Sequence, residues 1–438
     1  MESPAASTMQ SIAFDPAHAK ATLAELPQGQ AVFALYAAEA HAEPYIGRTP
    51  NLRGRLERLL QPSPKHPRRL QLAGRVRRIE YRLTGSEFES LLTQFSLLED
   101  IYGPKSLERM HLRAPAFIRY LGGNPYPRIV VSNKPSQREA DWAYGPFASR
   151  AAAERFAEEA LKLFLLRRCT DDLDPNPSHP GCVYSEMKMC LAPCYKGCTD
   201  ERYAEEATAV ENFLATRGES KLVTLQAQRE AASANLEFET AATLHAQVQR
   251  VEAVRALAPE LVQPMGQLRA VLLQQAAAEP TATSAPAPEV AVFLYEQGRL
   301  RGPVGFSTLG MRIQNERSGS SSLFAQPMAL EPIPETPLPA SDTPNTDPSA
   351  EASVKAPRGV LEARMDAVLS QLTQPVDTPS AVVRQAHLAL LKRWYYRPEA
   401  RRPGEIFFPD SEGHWPVKAL LRGAGRVAAA AFAPKSLG

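Results

Sequence analysis

The fold class predicted for this chain is α/β of the α+β kind: short strand-like runs share its first third with amphipathic helices, and helices dominate from the middle onward. Three observations predict it. Apolar runs such as AVFALY and RIVVS are too brief for buried helices and are bounded by turn residues. Leucines recur at helical spacing, as at Leu52, Leu56, Leu59 and Leu60. Two stretches, 276–289 and 318–359, are rich in Pro, Ser, Thr and Ala, cannot bury enough apolar area to order themselves, and read as linkers in a partly disordered tail. With 438 residues, 44% of them hydrophobic, the chain has material for about two to four domains.

Residues 30–60 read as strand, turn, strand and helix: AVFALY, then EPYIG, then NLRGRLERLL with its leucines on one face and its arginines on the others. A third strand falls at RRIEYRL. A helix starts at Ser86, where Glu89 three residues on completes a capping signature, and runs through Phe88, Leu91, Leu92, Phe95 and Leu98 until Gly103-Pro104 ends it. These elements make a small mixed sheet with flanking helices over residues 27–112.

Residues 113–200 form a linker and cysteine region of mainly helical character. In it RIVVS is a strand, Tyr144-Gly145-Pro146-Phe147 a turn, and Arg150 to Arg168 an amphipathic helix that delivers Cys169 from its end. Residues 201–260 are helix-rich, and a break at Asn235-Leu236-Glu237-Phe238 divides 218–257 into an antiparallel pair. Its apolar positions are Leu222, Leu225, Leu236, Phe238, Ala242, Leu244, Val248 and Val251, too few to bury both faces, so the hairpin calls for a partner. Leu236, Phe238, Ala242, Leu244 and Val248 are the candidate partner-binding residues. Within 261–358, VAVFLYEQGRLRGPVGFS reads as a hairpin around Gln297-Gly298, and 359–438 as a small C-terminal domain. Its Trp394-Tyr395-Tyr396 segment, flanked by arginines, reads as a core edge, with stacking on exposed bases the alternative.

The formal net charge of +2 conceals an uneven distribution. From Arg48 to Arg82 eleven Lys/Arg face only Glu57 and Glu80. That excess suggests a polyanion, with Arg53, Arg58, Lys65, Arg68, Arg69, Arg75, Arg77 and Arg78 as candidate DNA-binding residues. No apolar run approaches the ~18–20 residues of a membrane helix. The beginning MESPAASTMQ has no charged segment leading into an apolar one. A soluble protein of the reducing cytoplasm is therefore expected, with no membrane partner.

All five cysteines fall within thirty positions, as Cys169-x12-Cys182-x7-Cys190-x3-Cys194-x3-Cys198. Converging thiolates suit a zinc ion or a [4Fe-4S] cluster. Zinc ribbons usually carry two close pairs, and only the second half of this set is closely spaced, so the cluster is preferred and zinc is the alternative. One thiol is spare, and spacing does not identify it.

Three signatures in order, a basic YIG-containing module, the cysteine set after Tyr-Gly-Pro-Phe, and the hairpin NLEFETAATLHAQV, resemble the N-terminal half of the UvrC family over roughly residues 27–257. Its members are nuclease subunits of bacterial nucleotide excision repair. The resemblance implies a hairpin of the UVR type docking on a UvrB-like partner, as two such hairpins form a four-helix bundle. It also implies cluster ligands at Cys169, Cys182, Cys190 and Cys194, leaving Cys198 spare.

The first module resembles a GIY-YIG nuclease. That likeness puts Tyr45 and Arg55 at the phosphate, with Arg48 where the family often has lysine. It also exposes departures: Phe33 stands at the first tyrosine position, Gln94 at the metal-binding glutamate, and the family's asparagine aligns near Leu107. An amide is a weak ligand for Mg²⁺, which prefers carboxylate and phosphate oxygen. Glu87 is two helical turns from Gln94, and Glu99 points to another face. The resemblance thus implies a protein of excision repair that binds DNA and UvrB through a degenerate nuclease fold. The alternatives are an active metal-dependent endonuclease making one incision, with Mg²⁺ needed only in that case, and an iron–sulfur interaction protein outside repair.

Overall fold

The computed structural model describes residues 9–39, 41–61, 72–134, 141–170, 173–277, 289–311, 358–375 and 377–432. Lys65, Arg68 and Arg69, and most of both linker stretches, lie outside the described residues.

The first unit has strands β1 (Gln10–Ala13), β2 (Ala31–Ala37), β3 (Tyr45–Thr49) and β4 (Val76–Leu83), with helices α1 (Ala19–Glu25), α2 (Leu52–Leu60) and α3 (Glu87–Tyr102). Its sheet order is β1-β4-β2-β3. The expected mixed sheet is antiparallel throughout, because the chain returning from α2 runs β4 down the free side of β2 opposite to its direction. β1 and α1 precede the expected boundary at residue 27; their short polar-rich runs carry too little periodicity to be read locally. α2 begins where Asn51 Oδ1 accepts from Gly54 N at 2.8 Å. Its four leucines pack with Phe33, Leu35 and Ile79 into one core.

α3 behaves differently from the sequence expectation. Ser86 caps it, accepting from Glu89 N at 3.1 Å, but the Glu89 carboxylate accepts from Gly85 N instead of returning to Ser86. Its polar side meets the first sheet, where Gln30 donates to Ser90 Oγ at 2.8 Å. Its apolar side, Phe88, Leu91, Leu92 and Phe95, enters the core of the C-terminal unit. α3 is thus a wall shared by two units.

The middle unit follows a one-turn helix, α4 (Ser106–Arg109), and comprises β5 (Ala116–Leu121), β6 (Ile129–Ser132), β7 (Asp141–Phe147), α5 (Arg150–Leu161), a short α6 (Val183–Glu186), α7 (Asp200–Ala215), α8 (Glu219–Ala234), α9 (Phe238–Arg255) and β8 (Gln263–Pro264). It is built on a sheet, β6-β5-β7-β8, so the helical character expected for 113–200 is corrected. Tyr144-Gly145-Pro146-Phe147, expected as a turn, completes β7 because Tyr144 and Phe147 are buried on Phe156. α5 stops at Leu161, and 162–168 runs on as a packed non-helical segment: Leu165 N donates to Glu206 and Arg167 N to the Tyr203 hydroxyl. These tertiary partners outcompete the helical continuation.

The C-terminal unit contains β9 (Ala270–Gln275), β10 (Glu289–Glu296), β11 (Arg299–Ser307), α10 (Arg358–Leu372), α11 (Ala381–Tyr395), β12 (Glu405–Phe407) and α12 (Val417–Phe432). The β10–β11 hairpin does turn at Gln297-Gly298, both at positive φ. It is not a separate piece, because the order β11-β10-β9-β12 joins it to strands before and after it, and the ranges 261–358 and 359–438 share one sheet. β10 is buried on both faces: Ala291, Phe293 and Tyr295 face α3 and α11, whereas Val290, Val292 and Leu294 face α10 and α12.

Candidate metal centre and nucleic-acid face

Cys169 follows the packed segment after α5, Cys182 caps α6, and Cys190 and Cys194 lie on the loop leading to α7. The loop folds back because Leu191 N donates to Leu165 O at 3.0 Å and Asn176 N to Cys194 O at 2.9 Å. Ala192 and Lys196 take left-handed conformations around Cys194. As a result Cys169, Cys182, Cys190 and Cys194 line one pocket with Arg167, Arg168, Leu173, Tyr184 and Pro193. Cys198 is not among its lining residues and lies instead near Asp200 and Arg202.

Two N–H groups point at sulfur in this pocket: Ala192 N reaches Cys190 Sγ at 3.3 Å, and Arg167 Nη1 reaches Cys169 Sγ at 3.6 Å. The Arg167 guanidinium is buried and also donates to Tyr126 O at 3.0 Å. Burial pushes the Cys190 thiol up to about 11, and the neighbouring Cys169, Cys182 and Cys194 add to that rise. Burial raises Cys194 as well. As thiolates, four such groups would need a positive centre among them. Among the described residues no three His, Cys, Asp or Glu side chains stand at the spacing of one ion's ligands.

The nuclease-like positions divide between the two faces of the first sheet. Arg55 Nη2 donates to the Tyr45 hydroxyl at 3.3 Å, on the α1/α2 side where Tyr45 packs. Phe33 is fully buried there, 6.1 Å from the Tyr45 ring, and fills the space over Gly47. Arg48 points to the α3 side and meets Glu87 at 3.4 Å. Gln94, half-buried, also belongs to α3. Glu87 is itself claimed by Arg397, a residue beyond α11 that sequence reasoning did not single out as a partner. Its flanking Tyr396 donates to Pro146 O at 2.9 Å, and Trp394 is buried with its Nε1 on Pro403 O. The Trp-Tyr-Tyr segment is a junction between units rather than a base-stacking platform.

Several arginines of the basic stretch are locally engaged. Arg53 donates to Leu26 O, Arg58 to Gly54 O and Arg77 to Gly74 O, while Arg78 lies over the Tyr36 ring and beside Glu80. Arg58, Arg75, Arg77 and Arg78 are exposed.

In the helical hairpin, Leu236 and Phe238 stand at the tip with 72% and 67% of their surface exposed, and Ala242 is exposed as well. Leu244 is half-buried. Val248 departs from the expected partner face: it is buried with Val251 and Leu222 in the middle core, because the base of the hairpin packs there.

Residues 117–213 match the family model of the UvrC/Cho excinuclease middle domain. The chain is 31% identical over 242 residues to the UvrABC system protein C of Alcanivorax borkumensis, covering 55% of this chain and 39% of that protein. It is 27% identical to the proteins of the same name from Ectopseudomonas mendocina and Aliivibrio salmonicida, covering 56% and 55% of this chain and 39% of each relative. No solved structure matches. Among the described residues no helix is long and apolar enough to cross a membrane. All four pocket cysteines lie inside the matched middle domain, and over the matched half of its length the chain is a UvrC-like protein.

Proposed function

We propose that this chain is a DNA-binding protein of nucleotide excision repair in the cytoplasm that docks on UvrB at damaged DNA and has given up GIY-YIG cleavage. The observation that carries this reading is the four-cysteine pocket within the segment matching the UvrC/Cho middle domain. The pocket has the donor set a [4Fe-4S] cluster needs: four thiols share it, and two N–H donors face sulfur. When bound, the cluster would cross-link the loop segments that carry these four thiols. Cys169, Cys182, Cys190 and Cys194 hold it, Arg167 orients Cys169, and Cys198 stays outside. Zinc is the alternative occupant.

Mg²⁺ does not fit the first module. Gln94 offers a neutral amide, and Glu87, two helical turns away, has its carboxylate on Arg397 and Arg48 rather than beside Gln94. Phe33 has no hydroxyl and is buried. Losing both elements costs several orders of magnitude, each such element contributing about 10²–10⁴-fold. The Tyr45–Arg55 pair and the exposed arginines remain able to hold a phosphate backbone, and Leu236 and Phe238 offer UvrB an apolar tip.

The test is nicking of a damaged duplex preloaded with UvrA and UvrB. The expected result is no incision but a stable supershift of the UvrB–DNA complex. Metal-dependent incision by this protein that disappears in Tyr45→Phe and Arg55→Ala would overturn the non-cutting reading and support the active endonuclease. Failure to bind either DNA or UvrB would favour an iron–sulfur interaction protein outside repair.

A further inference from the structure

We propose that Arg48, Arg393 and Arg397, gathered around Glu87, form a composite phosphodiester site to which the first and C-terminal units both contribute. The proposal deepens the DNA-binding reading and rests on it. Arg397 takes both oxygens of Glu87, at 2.8 and 3.0 Å, and Arg48 adds a third approach at 3.4 Å. Arg393, one helical turn earlier and exposed, lies close enough for its charge to act on the same carboxyl. Three cations therefore converge on one anion, and the notch keeps an excess of positive charge.

The three side chains are also partly open to solvent. The side chains of Arg48, Glu87 and Arg397 are 35%, 39% and 24% exposed, so an incoming phosphate can reach the same N–H groups. Guanidinium forks match phosphate as they match carboxylate. Glu87 then acts as a place-holder that keeps the forks oriented until a phosphodiester takes over part of their bonding. A backbone bound here would lie across the seam between α3 and the segment after α11, so its grip depends on both units being present. Arg48 alone was legible as a site residue, from its place after Tyr45-Ile46-Gly47.

The experiment uses the full chain and fluorescence anisotropy of labelled duplex and single-stranded DNA, titrated from about 50 to about 200 mM salt. Arg393→Ala, whose side chain is exposed, is expected to weaken binding several-fold and to lower the salt slope by about one. Arg397→Ala should do the same, with its melting curve recorded to confirm folding. Glu87→Gln should tighten binding, since it removes the competing anion. If the unmodified chain binds DNA with a salt slope and both Arg393→Ala and Glu87→Gln bind as it does, the notch is only a bridge between units and the proposal falls. If the unmodified chain binds no DNA, the DNA-binding reading itself falls.

Discussion

Arg397 grips both carboxylate oxygens of Glu87 and so ties the segment after α11 to the first turn of α3, 310 residues earlier in the chain. Its hydrogen bonds hold the Glu87 carboxyl below the ordinary carboxylate range, and the charges of Arg48 and Arg393 reinforce the effect. A carboxyl depressed in the folded state stabilises the fold above its unfolded value of about 4.3, and that stabilisation is lost as pH falls through the lower folded value. The difference in melting temperature between the unmodified protein and Arg397→Ala should accordingly be full at neutral pH and vanish in strong acid. Because the pair is partly exposed, its contribution should be about 1 kcal/mol or less. A difference independent of pH would assign the effect to lost packing instead.

Local pattern made the β2–β3–α2 segment legible, because its leucine stripe and its short apolar strand runs are complete within thirty residues. The stripe on α3 was equally visible, but its destination was not. Phe88 packs on Phe293 and Trp394, with ring centroids at 5.3 and 6.1 Å, and nothing near residue 88 announces partners so far along the chain. The cysteine set shows the same division. Its clustering was plain from spacing, whereas the pocket was not, since Arg167 reaches Cys169 only because residues after Leu161 leave the helix their composition favours. The apolar tip of the helical hairpin was readable, but the burial of Val248 at its base depended on a sheet that the region's expected helical character had hidden.

His387 predicts a second pH dependence. It is buried in the C-terminal core, accepts from Leu300 N at 2.9 Å, and packs edge-on to Phe95. Burial, with Arg299 adding to it, pushes its pKa down to about 3. A histidine held neutral binds fewer protons folded than unfolded between the two values. Stability should therefore be full above its unfolded value of ~6.5 and fall steadily toward pH 3, by an upper bound of roughly 5 kcal/mol. Denaturant midpoints measured across this range should slope for the unmodified protein and flatten in His387→Gln. Equal slopes in both would show that other groups carry the acid sensitivity.

The hairpin separates a binding role from a structural one. Leu236→Ser and Phe238→Ser remove exposed apolar groups and should leave the melting temperature within experimental error while weakening UvrB binding at least tenfold. Val251→Ala removes two methyl groups from a fully buried position and should cost about 1–3 kcal/mol. Calorimetry paired with UvrB titration checks both. If the tip variants bind UvrB normally, the proposed docking surface is wrong even though the hairpin is present.

The last prediction concerns which thiol is spare. Cys169, Cys182, Cys190 and Cys194 line the pocket, whereas Cys198 sits beside Asp200 and Arg202 at the start of α7. A cluster held by four thiolates loses a ligand with any of the first four and none with the fifth. Iron and acid-labile sulfide after anaerobic purification should be near four of each per chain in the unmodified protein and in Cys198→Ser, as a [4Fe-4S] centre requires. They should fall sharply in Cys190→Ser or Cys194→Ser. One zinc per chain, lost in the same variants, would keep the ligand set and replace the cluster with a single ion. Loss of iron in Cys198→Ser alone would overturn the ligand set itself, because a thiol outside the pocket lining would then be a ligand.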